Sequence, residues 1–162
     1  MADRAIRTTR VLDETSRRVI AALDARPRAT VGWLAQRLGL ARGTVQSRLG
    51  QLFEPGTLRP PSVTVPPEAL GMPLRAFVTA QVEQVRFDEA VTGLRAIPEV
   101  LECVATSGST DVLFQVVARD ADHLYELGQE VLRCPGISRT STTIVLRELL
   151  PYRTRQLLTD AG

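Results

Sequence analysis

Apolar residues recur every three or four positions in the first third of the chain, the spacing of one buried helix face. The three segments with this spacing begin after Asp13, Thr30 and Gly39, and the first ends at Pro27. Aspartate and threonine side chains cap helix N-termini, whereas glycine and proline end helices. The pattern predicts three helices, of which the third runs to about Phe53, where Pro55 and Gly56 stop it.

The last two of these helices are joined by a short glycine turn at Gly39-Leu40. A helix pair of this kind can lay its second helix in the major groove of DNA. The second helix buries Val45, Leu49 and Leu52 at helical spacing and carries polar residues between them. Many small helical hairpins bind no nucleic acid, so the pair alone leaves DNA binding and plain core packing open.

Strict alternation replaces the helical spacing from Leu74 to Val82, which predicts a strand with one apolar face. The following segments indicate, in order, a helix over 88–97, strands over 100–106 and 112–118, a helix over 120–133 and a strand over 137–146. Strand, helix, strand, strand, helix, strand is the ferredoxin-like order. A sheet with helices on one face leaves its other face bare, so we expect a second copy of the chain to cover it.

Six of the ten prolines lie between Pro55 and Pro73, where the chain can form edge strands at most. A short ribbon over 57–65 would make the N-terminal part a winged helix-turn-helix. The predicted domains are a helix-turn-helix domain over 1–60, a proline-rich linker over 61–73, a ferredoxin-like oligomerisation domain over 74–150, and a tail over 151–162. The fold class is α+β.

Charge is distributed unevenly between these parts. Residues 1–60 hold 11 Arg against five acidic residues, a balance of +6, and residues 61–162 hold nine Arg against 13 acids, a balance of −4. A basic first domain is typical of DNA binding, and an acidic second domain is expected to have a different function.

Cys103 and Cys134 stand far apart and outside any metal-ligand spacing, so we expect reduced thiols and no metal or cofactor. There is no secretory signal, and no apolar run approaches the ~18 residues that span a bilayer. These features predict a cytoplasmic protein that does not bind membranes.

The order and spacing of several short stretches resemble the Lrp/AsnC (feast/famine) transcriptional regulators over about residues 11–150. The stretches are Leu12-Asp13, Ile20-Ala21-Ala22-Leu23, Leu34-Ala35, Leu38-Gly39-Leu40, Val45 with Arg48-Leu49 and Leu52, Leu70-Gly71, Ile97-Pro98-Glu99-Val100, Gly108-Ser109-Thr110-Asp111 and Leu132-Arg133-Cys134-Pro135-Gly136-Ile137. The resemblance implies a homodimer paired through its C-terminal sheets, assembling into tetramers or octamers on double-stranded DNA. It also implies a small-molecule effector, usually an amino acid, that shifts assembly or DNA affinity.

Three departures from the family pattern concern the DNA-binding part. Ala41 stands where the family has a Ser or Thr cap, which forfeits roughly 1 kcal/mol. Gly43 and Gly50 each cost about 1 kcal/mol relative to Ala inside a helix. Pro60-Pro61 replaces the glycine turn before the wing. The third helix is therefore expected to become well ordered only on DNA.

The candidate site residues follow from these patterns and from the resemblance. Those for DNA are Arg42, Thr44, Gln46, Ser47, Arg48 and Gln51, with Arg48 the strongest because it matches the family's recognition-helix Arg. Those for the effector are Thr106, Gly108, Asp111, Thr140 and Thr142; Gly108 and Asp111 match the family's effector loop, and a tight turn would favour the same two residues. Trp33 is expected in the core, and Arg7, Arg10 and Arg28 are further candidates for backbone contact.

Two alternatives belong to other classes. Some proteins of this architecture are similar to siroheme decarboxylases, but His123 is the chain's single histidine, and beside Asp122 it is expected to be solvated or to cap a helix. Since no nucleophile–base pair or metal cluster is recognisable, we expect no enzymatic activity. The other alternative is a ligand-sensing assembly module whose head binds no DNA.

Overall fold

The computed structural model describes residues 11–54 and 57–158, which group into two compact units. The first unit comprises the described residues up to Pro61 together with residues 150–158, and the second runs from Ser62 to Leu149. Residues 151–158, predicted as a tail, thus group with the N-terminal unit. Within that unit the guanidinium of Arg59 lies 5.3 Å from the ring centroid of Tyr152.

The first unit contains the three predicted helices, α1 (Glu14–Ala25), α2 (Val31–Leu38) and α3 (Arg42–Leu52). Asp13 caps α1 by accepting a hydrogen bond from Ser16 N at 2.8 Å, and Thr30 caps α2 by accepting from Trp33 N at 3.2 Å. Gly39 ends α2 with a φ of +66°, a backbone conformation that favours glycine. The caps and the turn were predicted correctly because each depends on residues a few positions apart.

Leu34, Ala35 and Val45 form the centre of this unit, with partly buried apolar residues of all three helices packed around them. Val19 of α1 and Leu52 of α3 are also buried. Trp33 packs against this cluster, as expected, and the guanidinium of Arg26 lies 5.1 Å from its ring centroid. The apolar stripes of the three helices therefore meet in one small core.

The chain after α3 departs from the predicted ribbon. Residues Pro61–Thr64 and Pro67–Leu70 form short 3-10 helices, and Leu58 is a single bridge residue. The prolines explain the difference, because they lack the N–H that a strand ladder needs. The predicted wing is therefore wrong for the described residues of 57–73, and the N-terminal unit is a helix-turn-helix. Pro55 and Gly56, predicted to stop α3, lie outside the described residues.

The second unit has the predicted order of elements. They are β1 (Leu74–Val82), α4 (Phe87–Ala96), β2 (Val100–Ala105), β3 (Val112–Ala118), α5 (Ala121–Arg133) and β4 (Ile137–Ile144). The strands form one antiparallel sheet in the order β2-β3-β1-β4. This is the ferredoxin-like arrangement, and the α+β assignment is confirmed.

The two faces of the sheet differ in what covers them. Ala76, Val78, Ala80 and Val82 are buried with residues of α4 and α5, as the alternation in β1 predicted. The opposite face carries Phe77, 41% exposed, and Val104, 42% exposed. Within the described chain the helices cover one face and leave apolar side chains on the other.

Candidate DNA interface and effector loop

The exposed side of α3 is polar and small. The helix buries Val45 and Leu52. Four of the six predicted DNA contacts are exposed: Arg42, Thr44, Gln46 and Ser47. Gly43 and Gly50 are exposed as well, and nothing lies within 4 Å of a Cβ built on either residue. The arrangement presents hydrogen-bonding groups and little bulk, which suits entry into a groove.

The N-terminus of α3 has no side-chain cap, because Ala41 makes no capping hydrogen bond. Arg42 follows directly, and its guanidinium lies beside the first turn of α2. A Cβ built on Gly32 would stand 3.6 Å from Arg42 Nη2. A guanidinium next to the N-terminal turn of a helix gives this edge of the helix pair a local positive potential.

Arg48 and Gln51, the other two predicted contacts, are partly buried. Arg48 Nη1 lies 2.9 Å from Asp13 Oδ2 and donates to Gln51 Oε1 at 3.0 Å. The structure thus connects these two side chains to each other and to the N-terminus of α1. Sequence reasoning missed the pairing with Asp13, because the partners lie far apart in the chain and only the packing of α1 on α3 brings them together.

The remaining basic candidates lie outside α3. Arg28 is exposed, and Arg7 and Arg10 lie outside the described residues. Arg18 donates to Leu38 O at 2.8 Å and so supports the C-terminus of α2. Arg18 therefore has a structural partner inside the unit, whereas Arg28 remains a candidate for phosphate contact.

The predicted effector loop between β2 and β3 is held by hydrogen bonds. Asp111 accepts from Val82 N at 2.8 Å through Oδ2 and from Gln84 Nε2 at 3.0 Å through Oδ1. Thr106 Oγ1 donates to Thr110 O at 2.9 Å, and Gln81 Nε2 donates to Ser109 O at 3.1 Å. Sequence reasoning missed the two glutamines, since exposed Gln residues near a strand end carry no local signal.

Gly108 has a φ of +121° in this loop, a value that a residue with a Cβ rarely adopts. The space around it is open. The turn conformation therefore accounts for the glycine, and its role toward an effector stays a prediction.

Thr140 and Thr142 occupy a different place from the loop. Both are on β4, opposite Ala80 and Val78 of β1, and they line a cavity of about 10 Å³ under α5. That volume holds one water at most. Thr106 and Asp111 lie in the loop that joins β2 to β3, and β3 and β4 pair with opposite edges of β1. The five predicted effector residues thus form two groups separated by strand β1.

His123 is buried, so the expectation of a solvated histidine is wrong. Its Nδ1 accepts from Arg119 N at 3.2 Å, and its Nε2 lies 3.6 Å from Glu99 Oε1. The helix cap is Asp120, which accepts from His123 N at 2.8 Å. The imidazole of His123 is therefore held between the backbone of Arg119 and the carboxylate of Glu99, and these contacts stabilise the start of α5.

The thiols do not form a reactive site. Burial raises the pKa of Cys103, and burial together with the charge of Glu130 raises the pKa of Cys134. Both thiols are therefore protonated and weakly nucleophilic at neutral pH. Among the described residues, no group of His, Cys, Asp and Glu side chains could hold a metal ion. No helix in residues 11–54 and 57–158 is long and apolar enough to cross a membrane.

Two family models match successive parts of the chain. Residues 12–52 match the AsnC-type helix-turn-helix domain, and residues 75–154 match the Lrp/AsnC ligand binding domain. The chain belongs to the Lrp/AsnC family.

Relatives of this Lrp/AsnC protein are similar along most of their length. LrpA, an HTH-type transcriptional regulator of Mycobacterium tuberculosis, is 34% identical over 90% of this chain and 95% of its own. FL11 of Pyrococcus horikoshii, also an HTH-type transcriptional regulator, is 28% identical over 84% of this chain and 90% of its own. The chain is therefore a DNA-binding transcriptional regulator with a ligand-binding domain.

Solved structures agree with this family assignment. AsnC of E. coli superposes with a TM-score of 0.80 at 23% identity, covering 90% of this chain and 99% of that one, which shows the fold. A transcriptional regulator of Neisseria meningitidis, solved as a complex with L-Met, has a TM-score of 0.75 at 26% identity and covers 87% of this chain and 94% of that one.

Proposed function

We propose that this Lrp/AsnC regulator binds specific double-stranded DNA sequences through the exposed face of α3, and that an amino acid shifts its assembly or its DNA affinity. The observation that carries the proposal is the polar, small and exposed side of α3. It faces away from the core formed by Leu34 and Val45. The regulator acts in the cytoplasm.

The side chains on α3 divide by the DNA groups that they suit. Arg42, at the helix start, fits a phosphate or a guanine edge, because its fork makes bidentate hydrogen bonds. Gln46 fits an adenine edge, and the hydroxyls of Thr44 and Ser47 fit bases or phosphates. Residues 1–60 carry a balance of +6, which adds attraction to the phosphate backbone whatever the sequence.

The effector is an amino acid that binds at the loop over residues 106–111. Gly108 leaves its backbone open to a carboxylate or ammonium group, and Asp111 supplies a negative charge for an ammonium. The related Neisseria meningitidis regulator that was solved with L-Met supports this ligand class. Thr140 and Thr142 are weaker candidates, because the cavity that they line under α5 is too small for an amino acid.

The protein assembles as a homodimer through the open face of its sheet, and dimers associate into tetramers or octamers. Phe77 and Val104 on that face are apolar and exposed, and a second copy of the sheet would remove them from water. Two or more heads held together bind DNA more tightly than one, because the second head binds from within the same complex.

The burial and hydrogen bonding of His123 further support a regulator that has no catalytic activity. Its ring is buried and bonded to the backbone of Arg119, which leaves the imidazole without access to a substrate. The siroheme decarboxylase alternative therefore has no support in the geometry.

The test is to titrate the full-length protein onto labelled duplex DNA from upstream of its own gene. A shuffled duplex of the same composition serves as the control, and each of the protein amino acids is added in turn. We expect tighter binding to the upstream duplex and a change in affinity or stoichiometry with a subset of amino acids. Equal binding to both duplexes would contradict sequence specificity, and indifference to every amino acid would contradict the effector class.

A further inference from the structure

The guanidinium of Arg48 pairs within the N-terminal unit, although Arg48 follows the exposed Thr44 by one helical turn. At about 100° per residue, Ser47 and Gly50 lie on the side opposite Val45 and Leu52, whereas Arg48 lies close to the buried side. Its side chain is 28% exposed. The ion pair with Asp13 turns this side chain toward the start of α1 in the same unit.

The carboxylate of Asp13 has two functions at this place. Its Oδ1 accepts from Ser16 N and caps α1, and its Oδ2 lies 2.9 Å from Arg48 Nη1. The same Nη1 donates to Gln51 Oε1. The two hydrogens of Nη1 are thus directed at Asp13 and at Gln51, one turn further along α3.

The other contacts that hold α3 are mainly apolar, and Leu49 packs against the core beside Val45. The helix lacks an N-cap side chain, contains two glycines, and buries only Val45 and Leu52 completely. An apolar contact is non-directional, whereas a charge-assisted hydrogen bond constrains distance and angle. The Asp13–Arg48 pair is a directional side-chain contact between α3 and the start of α1.

We propose that Arg48 is a positioning residue for DNA binding: through Asp13 it holds α3 in the orientation that presents Thr44, Gln46 and Ser47 to the groove. This inference rests on the proposed DNA-binding face of α3. It assigns to Arg48 a different role from the direct DNA contact expected from the sequence.

The direction in which one substitution changes DNA affinity distinguishes the two roles of Arg48. Asp13→Asn keeps the cap, because Asn is as good an N-cap as Asp, but it removes the charge that holds Arg48. If Arg48 contacts DNA directly, Asp13→Asn frees it and removes a negative charge near the phosphates, so affinity should rise or stay constant. If Arg48 positions α3, the same substitution should weaken binding.

The experiment is a double-mutant cycle with Asp13→Asn and Arg48→Gln in the full-length protein, titrated onto the upstream duplex at several salt concentrations. We expect each single variant to lose about fivefold in affinity per bound head, the factor that a partly exposed ion pair can supply. The double variant should lose no more than either single variant, since both remove one interaction. The dependence of affinity on salt should keep its slope.

Arg42→Gln is the matched control on the same helix. As an exposed phosphate contact it should reduce the salt slope by about 0.9 for each phosphate that the protein no longer neutralises. Its effect should add to that of Asp13→Asn. Thermal unfolding of every variant checks the fold. If Asp13→Asn is unstable, it is replaced by Asp13→Ser, which keeps a capping hydroxyl but has no carboxylate.

Tighter or unchanged binding by Asp13→Asn, or a reduced salt slope in Arg48→Gln with additive losses, would overturn the positioning role. Failure of the wild-type chain to bind the upstream duplex would instead contradict the proposed function. The two failures are therefore distinguishable in one set of titrations.

Discussion

Asp111 combines a structural contact with a proposed ligand contact, and two substitutions separate them. Asp111→Ala leaves Val82 N without its acceptor, which should lower the free energy of unfolding by about 1–3 kcal/mol. Asp111→Asn keeps a carbonyl acceptor for that N–H but loses the charge. We expect near-wild-type melting for Asp111→Asn together with loss of the melting shift that the effector produces. A full ligand-induced shift in Asp111→Asn would show that the carboxylate holds only the loop.

His123 is a second residue whose acceptor can be kept or removed. His123→Leu leaves Arg119 N unpaired at a partly buried position, which should cost about 1–3 kcal/mol of stability. His123→Asn places an amide oxygen near the position of Nδ1 and should cost less. Chemical denaturation of both variants measures the difference. Equal losses would mean that ring packing, and not the hydrogen bond, makes His123 matter.

Single-residue predictions succeeded where the determining contacts are local. Asp13, Thr30 and Gly39 act on backbone groups within a few positions of themselves, so their roles as caps and turn could be predicted from the sequence. The partners of Arg48 and His123 could not be predicted, because those contacts depend on how helices and strands pack. A recognition-helix Arg alone does not reveal whether its guanidinium faces DNA or another helix.

At the scale of elements, periodicity predicted the helices and strands of both units within a few residues. Leu74–Val82 and Val112–Ala118 were predicted with the bounds that the structure has, because alternation and β-branched residues agree there. The ribbon over 57–65 failed because its prolines cannot donate to a strand ladder. Sites are harder to predict than elements, as Thr140 and Thr142 show. The sequence predicted that both lie on the last strand, but only the strand register showed that they face α5.

The element whose stability matters most for DNA binding is α3. Ala41→Ser supplies the missing cap and should raise the free energy of unfolding by about 1 kcal/mol. Gly39→Ala is the control: it places a Cβ at a φ of +66° and should destabilise the same helix pair. If incomplete order of α3 limits binding, Ala41→Ser should also tighten DNA binding. Higher stability without tighter binding would show that α3 is already ordered before it meets DNA.

Gly50 tests whether the small side of α3 serves close approach. A Cβ built there meets nothing within 4 Å, so Gly50→Ala should stabilise the helix by about 1 kcal/mol. We nevertheless expect weaker binding to the upstream duplex, because the added methyl group points toward the proposed groove contact. Denaturation and DNA titration of the same variant give the two results. Stability and affinity that rise together would place Gly50 away from the DNA.

At the scale of the whole molecule, the sequence predicted a sheet face that needs a partner, and the open side of the sheet with Phe77 and Val104 agrees with that reasoning. A simple truncation would not isolate the effect of assembly on DNA binding. A fragment that ends near residue 60 loses the sheet, but it also loses Tyr152, which lies over Arg59 within the N-terminal unit. A substitution in the full-length protein isolates the effect of assembly.

Phe77→Asp places a charge in the middle of the proposed dimer face without touching the helix-covered core. We expect a folded monomer whose DNA affinity falls on the order of a hundredfold or more, because two heads no longer bind as one complex. Val85→Asp, the same kind of change at a side chain that is 92% exposed and outside the sheet, is the matched control. Sedimentation and circular dichroism establish mass and fold before DNA titration. A Phe77→Asp monomer that binds DNA as tightly as wild type would show that one helix-turn-helix head suffices, and a Phe77→Asp dimer would place the interface elsewhere.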